Sequence, residues 1–175
     1  MTVIERNPSR VETRRYTHEE LQTHLGHDYR EKVRDFFVVS GVVDSDHQLP
    51  WKHHSDKDYT HPFSQANYLL WEVVNEDKDI IIISVLPPYS STSPEHSHPG
   101  NEEGDEYQVI ERYQCLFGEY VLERNGDKIP MGVGDVQEVR PGIKHRVRTP
   151  NDSWALLYIF IKNGGLYSPD QLHRH

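Results

Sequence analysis

The residues of this chain with the most chemistry in them are a pair of histidines in Pro94-Glu95-His96-Ser97-His98-Pro99 and a third, His145, at the end of Arg140-Pro141-Gly142-Ile143-Lys144-His145. In an extended segment, residues two apart project to the same face, so His96 and His98 can present two imidazoles to one point. A carboxylate on the following strand could add another ligand, and the later turn could bring His145 from across a barrel. Three neutral imidazoles and one carboxylate suit Fe, Mn, Ni, Cu or Zn without selecting among them.

Such a set needs a scaffold of strands, and the sequence reads that way from residue 37 onward. β-Branched and aromatic runs cover Phe37 to Val43, Ala66 to Asn75, Asp79 to Leu86, Glu106 to Phe117, Glu119 to Arg124, Val136 to Arg140, His145 to Arg148 and Trp154 to Ile161. Turn residues separate them, the pattern of an all-β sandwich or barrel. Asn75-Glu76-Asp77-Lys78 could close one hairpin, and Asn125-Gly126 is a strong hairpin signal. Before residue 37 the pattern is helical. Thr17 is a candidate N-cap followed by Glu19 and Glu20, Gly26 suits a helix end, and Tyr29, Val33 and Phe36 or Phe37 share a face. The polar stretch from Asp44 to Ser64, with Pro50 and Pro62, reads as a long loop. Its His47, His53, His54 and His61 lack a strand or helix context that would converge their rings, and are taken as solvated, as are His18, His24, His27, His173 and His175.

At the three histidines the chain resembles the cupin family, whose motifs run approximately G-x5-H-x-H-x3or4-E-x6-G and G-x5-P-x-G-x2-H-x3-N. His96, His98, Glu111 and Gly118 resemble the first motif, and Gly134, Gly142 and His145 the second, over roughly residues 66 to 162. The resemblance implies an all-β cupin double-stranded β-helix, or jelly-roll, barrel with a short N-terminal helical extension. It divides the chain into a helical extension at 1–36, a barrel at 37–165 and a C-terminal tail at 166–175. It also implies a divalent metal (Mn, Fe, Zn or Ni) held by His96, His98, Glu111 and His145. The sequence departs from the motifs in several places. Twelve residues separate His98 from Glu111, so Glu102 or Glu103 would fit the usual gap better, with Glu106 the next candidate. Glu111 is preferred because it lies in a strand-like run that can fix a ligand. Ser90 stands at the first motif's opening glycine, Arg140 at the usual proline, and Thr149 at the final asparagine.

A barrel mouth lined by metal ligands is a natural small-molecule pocket. Strand alternation puts Tyr113, Cys115 and Phe117 on the Glu111 face, with Tyr107 at the rim, so Tyr107, Tyr113 and Phe117 are the expected substrate contacts. The order P-E-H-S-H-P, a polar insertion, E-R-Y-Q-C-L-F-G and K-H is similar to the cupin ketol-isomerases of the D-lyxose isomerase type. That implies an aldose–ketose isomerase acting on a sugar or sugar phosphate, with Glu106 or Lys144 as the proton-moving base. An Fe(II) dioxygenase, in which Tyr113 or Tyr107 positions the substrate, is the alternative. A non-catalytic metabolite-binding cupin is the third reading. Cupins commonly pair, so a homodimer is expected, with Phe36 and Phe37 of the N-terminal arm packing on a neighbour.

Composition narrows the partners. The net charge is −9 over 175 residues, and Lys144, Arg146 and Arg148 are too few to form a basic face, so nucleic acid is not expected. No apolar run is long enough for a helix to cross a bilayer, the opening MTVIERNPSR does not read as a secretory signal, and a cytoplasmic location is the expectation. The single cysteine, Cys115, sits in an apolar run without an activating base and reads as a buried structural thiol. Asn151-Asp152-Ser153 reads as a turn, and Ser90, Ser91 and Ser93 lack a nucleophile-elbow context.

Overall fold

Two strands explain how the sheet is clothed. Strand β2 (Ile80–Leu86) is an unbroken apolar run but for Ser84, and every residue in it is buried. Alternation sends Ile80, Ile82 and Leu86 into one hydrophobic cluster and Ile81, Ile83 and Val85 into another. Strand β7 (Ala155–Lys162) does the same, with Ala155, Leu157, Ile159 and Ile161 on one side and Leu156 and Tyr158 on the other. The first cluster is the interior of the β-roll, and the second is the seam between the sheet and two helices. A computed structural model provides this description for residues 18–39, 69–74, 79–91, 94–100, 107–167 and 169–172.

The helices are α1 (His18–Leu25) and α2 (Tyr29–Val39). Leu21, Leu25, Tyr29 and Val33 recur every four residues and are all at most 1% exposed against β2 and β7, with Phe36 continuing the stripe. Fully burying one such side chain is worth roughly 1.5–3 kcal/mol. Gly26, at φ +95°, turns the chain between the helices, its N–H bonded to the Gln22 carbonyl at 3.0 Å. The expected N-cap, Thr17, lies outside the described residues. Helix α2 runs on through Val39, so the expected strand beginning at Phe37 is corrected over residues 37–39. Residues 40–43 lie outside the described part. A short run of aromatic and β-branched residues fits a helix as well as a strand, and here the helical stripe that begins at Leu21 carries it onward.

The strands are β1 (Leu69–Val74), β2, β3 (Ile110–Arg124), β4 (Asp127–Gly132), β5 (Val136–Val139), β6 (His145–Arg148) and β7. All pairings are antiparallel, in the order β1-β2-β7-β3-β4, with β5 and β6 also pairing β3. The 15-residue β3 belongs to two sheets. Its first half lies between β7 and β5, and its second half between β4 and β6. A register shift between Cys115 and Phe117 and a left-handed Gly118 (φ +69°) mark the crossover. The expected break between Phe117 and Glu119 is thus a bend within one strand. Strand β4 carries Pro130, which conceals it as a strand; among the described residues it pairs only with β3, and the edge of a sheet tolerates a proline. Asn125 and Gly126, both at positive φ, close the β3–β4 hairpin as a two-residue turn. Strands β1 and β2 flank the other expected hairpin, whose residues 75–78 lie outside the described part.

The architecture is therefore an all-β antiparallel roll with a helical extension at its N-terminal side. Its interior cluster is closed at one end by a C-terminal segment. There a 3-10 turn (Gly164–Leu166) leads to a helical turn, α3 (Pro169–Leu172), and Leu172 is buried within that cluster. No helix among the described residues is long and apolar enough to cross a membrane.

Candidate metal centre

Three segments bring four side chains together in the roll. His96 is tied to His145 by a reciprocal pair of backbone hydrogen bonds, His96 N–H to His145 O at 3.0 Å and His145 N–H to His96 O at 2.8 Å. This narrow bridge holds the two rings with centroids 4.4 Å apart. His98 follows two residues later, its carbonyl accepting from Gly142 N–H at 3.1 Å. Its ring lies 4.9 Å from that of His96 and 5.0 Å from that of His145. Glu111, at the start of β3, enters from the opposite wall. Its Oε2 lies 2.6 Å from His98 Nε2 and 2.7 Å from His145 Nε2. One ligand-capable atom from each of the four residues lies within 4.8 Å of the others, and all four side chains are buried.

The far nitrogen of each ring decides what the near one can do. Nδ1 of His96 faces the Pro94 carbonyl, Nδ1 of His145 the Ile143 carbonyl and Nδ1 of His98 the Leu172 carbonyl, each at 2.9 Å. A carbonyl only accepts, so each Nδ1 carries the proton and donates it. Nε2 is then the atom each ring turns to the centre: it is the bare nitrogen a metal needs once the ring holds a single proton, and in His98 and His145 it donates to the Glu111 oxygen when protonated. Outer contacts of this kind hold metal-binding histidines in tautomer and orientation. The donor set, three Nε2 atoms and one carboxylate oxygen in a buried setting, fits a divalent transition metal, and together the four residues form a group that could hold one ion.

The charges conform. Burial pushes the His96 ring down to about 3, with His145 and His98 adding to the effect against the pull of Glu111 and the Pro94 carbonyl, so this ring is neutral. Burial also disfavours a charged His98, but the Glu111 charge, its hydrogen bond and the Leu172 carbonyl outweigh that and raise it. For Glu111, burial favours the neutral acid; the charge and hydrogen bonds of His98 and His145 win and hold it well below the usual carboxylate range. A pre-ionised carboxylate beside a proton-holding ring is a site already arranged for positive charge. Tyr113, two residues along β3, is 1% exposed, with its ring centroid 6.1 Å from that of His145. Burial, then the charge of Glu111 and a hydrogen bond to it, keep its phenol protonated well above the usual range.

The other expected site residues fall in different places. Phe117 does not share the Glu111 face. The bulge after Cys115 breaks the alternation and turns Phe117 into the seam with the helices. Lys144 is exposed, and its backbone is spent on the β3–β4 turn, donating to Asn125 Oδ1 at 3.1 Å and accepting from Asn125 N–H at 2.8 Å. Tyr107 is 53% exposed, and its carbonyl accepts from the Tyr167 hydroxyl at 2.8 Å. Glu102, Glu103 and Glu106 lie outside the described residues. Cys115 is buried inside the roll, its thiol pushed up to about 11 chiefly by burial. Sequence reasoning missed the Leu172 carbonyl altogether, because a backbone acceptor leaves no mark on residue type.

No family model matches the chain, and no curated protein matches it. Solved structures do. A cupin protein from Bacteroides fragilis is 23% identical over 51% of this chain and 70% of its own, with a TM-score of 0.42. A cupin-like protein from Thermotoga maritima is 17% identical over 56% of this chain and 70% of its own, with a TM-score of 0.47. A sugar phosphate isomerase of a cupin superfamily from Silicibacter pomeroyi is 20% identical over 48% of this chain and 50% of its own, with a TM-score of 0.41.

Proposed function

We propose that this chain is a metal-dependent cupin enzyme acting on a small polar metabolite. Its reaction, in this reading, is the interconversion of an aldose and a ketose, on a sugar or sugar phosphate, in the manner of the D-lyxose isomerase type. The observation that carries the metal reading is the convergence of three histidine Nε2 atoms and one ionised glutamate in a buried pocket, each ring held by a carbonyl behind it. The isomerase reading adds the order of residues around that centre: the paired histidines, a polar insertion, then the run from Glu111 to Gly118, then Lys144-His145.

A bound divalent metal supplies Lewis acidity toward a carbonyl and its neighbouring hydroxyl. The protein must then move a proton. A base takes it from the hydroxyl-bearing carbon and returns it to the former carbonyl carbon, while the hydroxyl proton passes to the carbonyl oxygen. No electrons enter or leave. Glu106 is our first candidate for this base and Lys144 the second, since Lys144 is exposed and occupied at the hairpin. Tyr113, beside Glu111, and Tyr107 are the proposed substrate contacts.

The test is anaerobic turnover of aldoses and their phosphates by protein loaded with Mn or Zn. Ketose formation without oxygen is expected. Oxygen uptake by iron-loaded protein, with no isomerisation under any metal, would replace this reading with a dioxygenase. Loss of the base should lower kcat by about 10²–10⁴ while leaving metal content intact. The larger loss is expected in Glu106→Gln rather than in Lys144→Met, and the reverse order would move the role to Lys144.

A further inference from the structure

Two of the three rings are held by their own strands: His96 by the carbonyl of Pro94 and His145 by that of Ile143, each two residues earlier. His98 is different. Its Nδ1 partner is the carbonyl of Leu172, 74 residues away in sequence and in the last helical turn of the described chain. The segment that delivers this carbonyl is fastened along its length. Asn163 donates from its backbone to Asp79 Oδ1 and from its side chain to the Gln108 carbonyl, both at 2.8 Å. The Tyr167 hydroxyl donates to the Tyr107 carbonyl at 2.8 Å. Gly164 passes so close to the roll that a Cβ there would meet Ile161 Cγ2 at 2.8 Å and Ile80 Cδ1 at 2.9 Å. Leu172 itself is only 5% exposed, its side chain packed within the interior cluster.

We propose that residues 163–172 form a strap that positions the metal centre. In this role the Leu172 carbonyl fixes His98 in the Nδ1–H form and aims its Nε2 at Glu111, so that docking of the strap and binding of a divalent metal support each other. The proposal rests on the metal reading above and deepens it. Coupling between two events is reciprocal, so a strap that strengthens metal binding must itself be held more firmly when metal is bound. The strap bonds His98, before the polar insertion, and Tyr107 and Gln108, after it, so its docking state is set by the same segments that frame the centre.

The experiment compares the full chain, a full-length His173→Ala/His175→Ala variant and a chain ending after Tyr167, each confirmed as folded by circular dichroism. Zn or Mn affinity is measured by competition with a chelator, and the hold on the His98 Nδ1–H proton by its solvent exchange in nitrogen NMR of the metal-free protein. Ending after Tyr167 should weaken metal binding by about 10–100-fold, the usual effect of losing an outer partner of a ligand. It should also speed solvent exchange of the His98 Nδ1–H proton, which loses its acceptor. The His173→Ala/His175→Ala variant should do neither, which separates the strap from any metal uptake by those two histidines. Should the shorter chain not fold, Leu172→Ala in the full chain must show both changes, smaller in size. Affinities within twofold and unchanged proton exchange would overturn the proposal. A full chain that binds no metal would sink the metal reading, and the exchange rate would still decide whether the strap holds His98.

Discussion

Glu111 is the hinge of the centre, because one of its oxygens meets both His98 and His145. In the metal-free protein it is what keeps a proton on His98 against the effect of burial. Glu111→Gln keeps the size and removes the charge. His98 should then drop from above the ordinary 6.5 to below it, measurable by NMR titration of the ring. Metal affinity should fall by more than the roughly 10–100-fold that follows loss of an outer partner. A ring pKa left above 6.5 in this variant would mean that another group holds the proton. At this scale the sequence was legible where residue type carries the chemistry. The paired histidines could be named from spacing, and the later histidine and the strand-borne glutamate from the resemblance, the glutamate against its spacing. It was mute where the backbone acts, as with the carbonyls of Pro94, Ile143 and Leu172. Two of the departures noted in the sequence face each other: Ser90 N–H donates to Thr149 Oγ1 at 3.1 Å, and Thr149 N–H to Ser90 O at 2.9 Å. Two changes that look independent in the sequence are one contact in the fold.

Among the elements, β3 governs the rest, since four other strands pair with it and its bend hands the chain from one sheet to the other. That bend depends on Gly118. It sits at φ +69°, and a Cβ there would lie 1.8 Å from the Trp154 carbonyl oxygen, a backbone atom with no room to retreat. Gly126 also has positive φ, at +89°, but a Cβ there would meet nothing within 4 Å. The pair separates two physical effects. Gly126→Ala should cost only the left-handed backbone penalty, about 1–3 kcal/mol. Gly118→Ala should cost distinctly more, and should disturb β3–β7 pairing, as read by urea unfolding and by amide exchange at Cys115 to Phe117. Equal losses would show that the close approach to Trp154 relaxes freely. Element existence was readable from apolar alternation, and hairpin β3–β4 from Asn125-Gly126. What failed were places where a local rule lost to packing. Phe37 to Val39 read as strand but continue a helix whose stripe is already docked, Pro130 hid an edge strand, and the bulge sent Phe117 to the wrong side for a substrate contact.

For the whole molecule, the centre links folding to protons and to metal, and the pKa shifts of Glu111, His98 and His96 fix the direction. Glu111 is held below its ordinary 4.5, so its stabilising contribution is present above that value and is lost as pH falls through the depressed one. His98 is raised above 6.5, so its contribution is complete below 6.5 and is lost as pH rises through the raised value. His96, held down to about 3, adds a loss on the acid side, because its ring must stay neutral where the unfolded chain takes up a proton, below 6.5; as far as this site decides, the metal-free chain is therefore most stable near 6.5 and weakens on either side. Metal reverses the slope on the alkaline side, because it needs the bare nitrogen that the proton occupies. Free metal at about 100 times its dissociation constant stabilises by about 2.7 kcal/mol. For a chain of this length that raises the melting temperature by about 5–11 °C. At a fixed metal concentration the gain should be larger at about pH 8 than at about pH 6, because His98, raised above 6.5, gives up its proton as pH rises. It should vanish in His145→Ala, where the ring bridged to His96 is gone. Thermal unfolding of the metal-free and Zn-loaded protein at the two pH values reads this directly. A gain independent of pH would mean that no proton is displaced from the rings, and that the charge on His98 plays no part in holding the metal-free centre together.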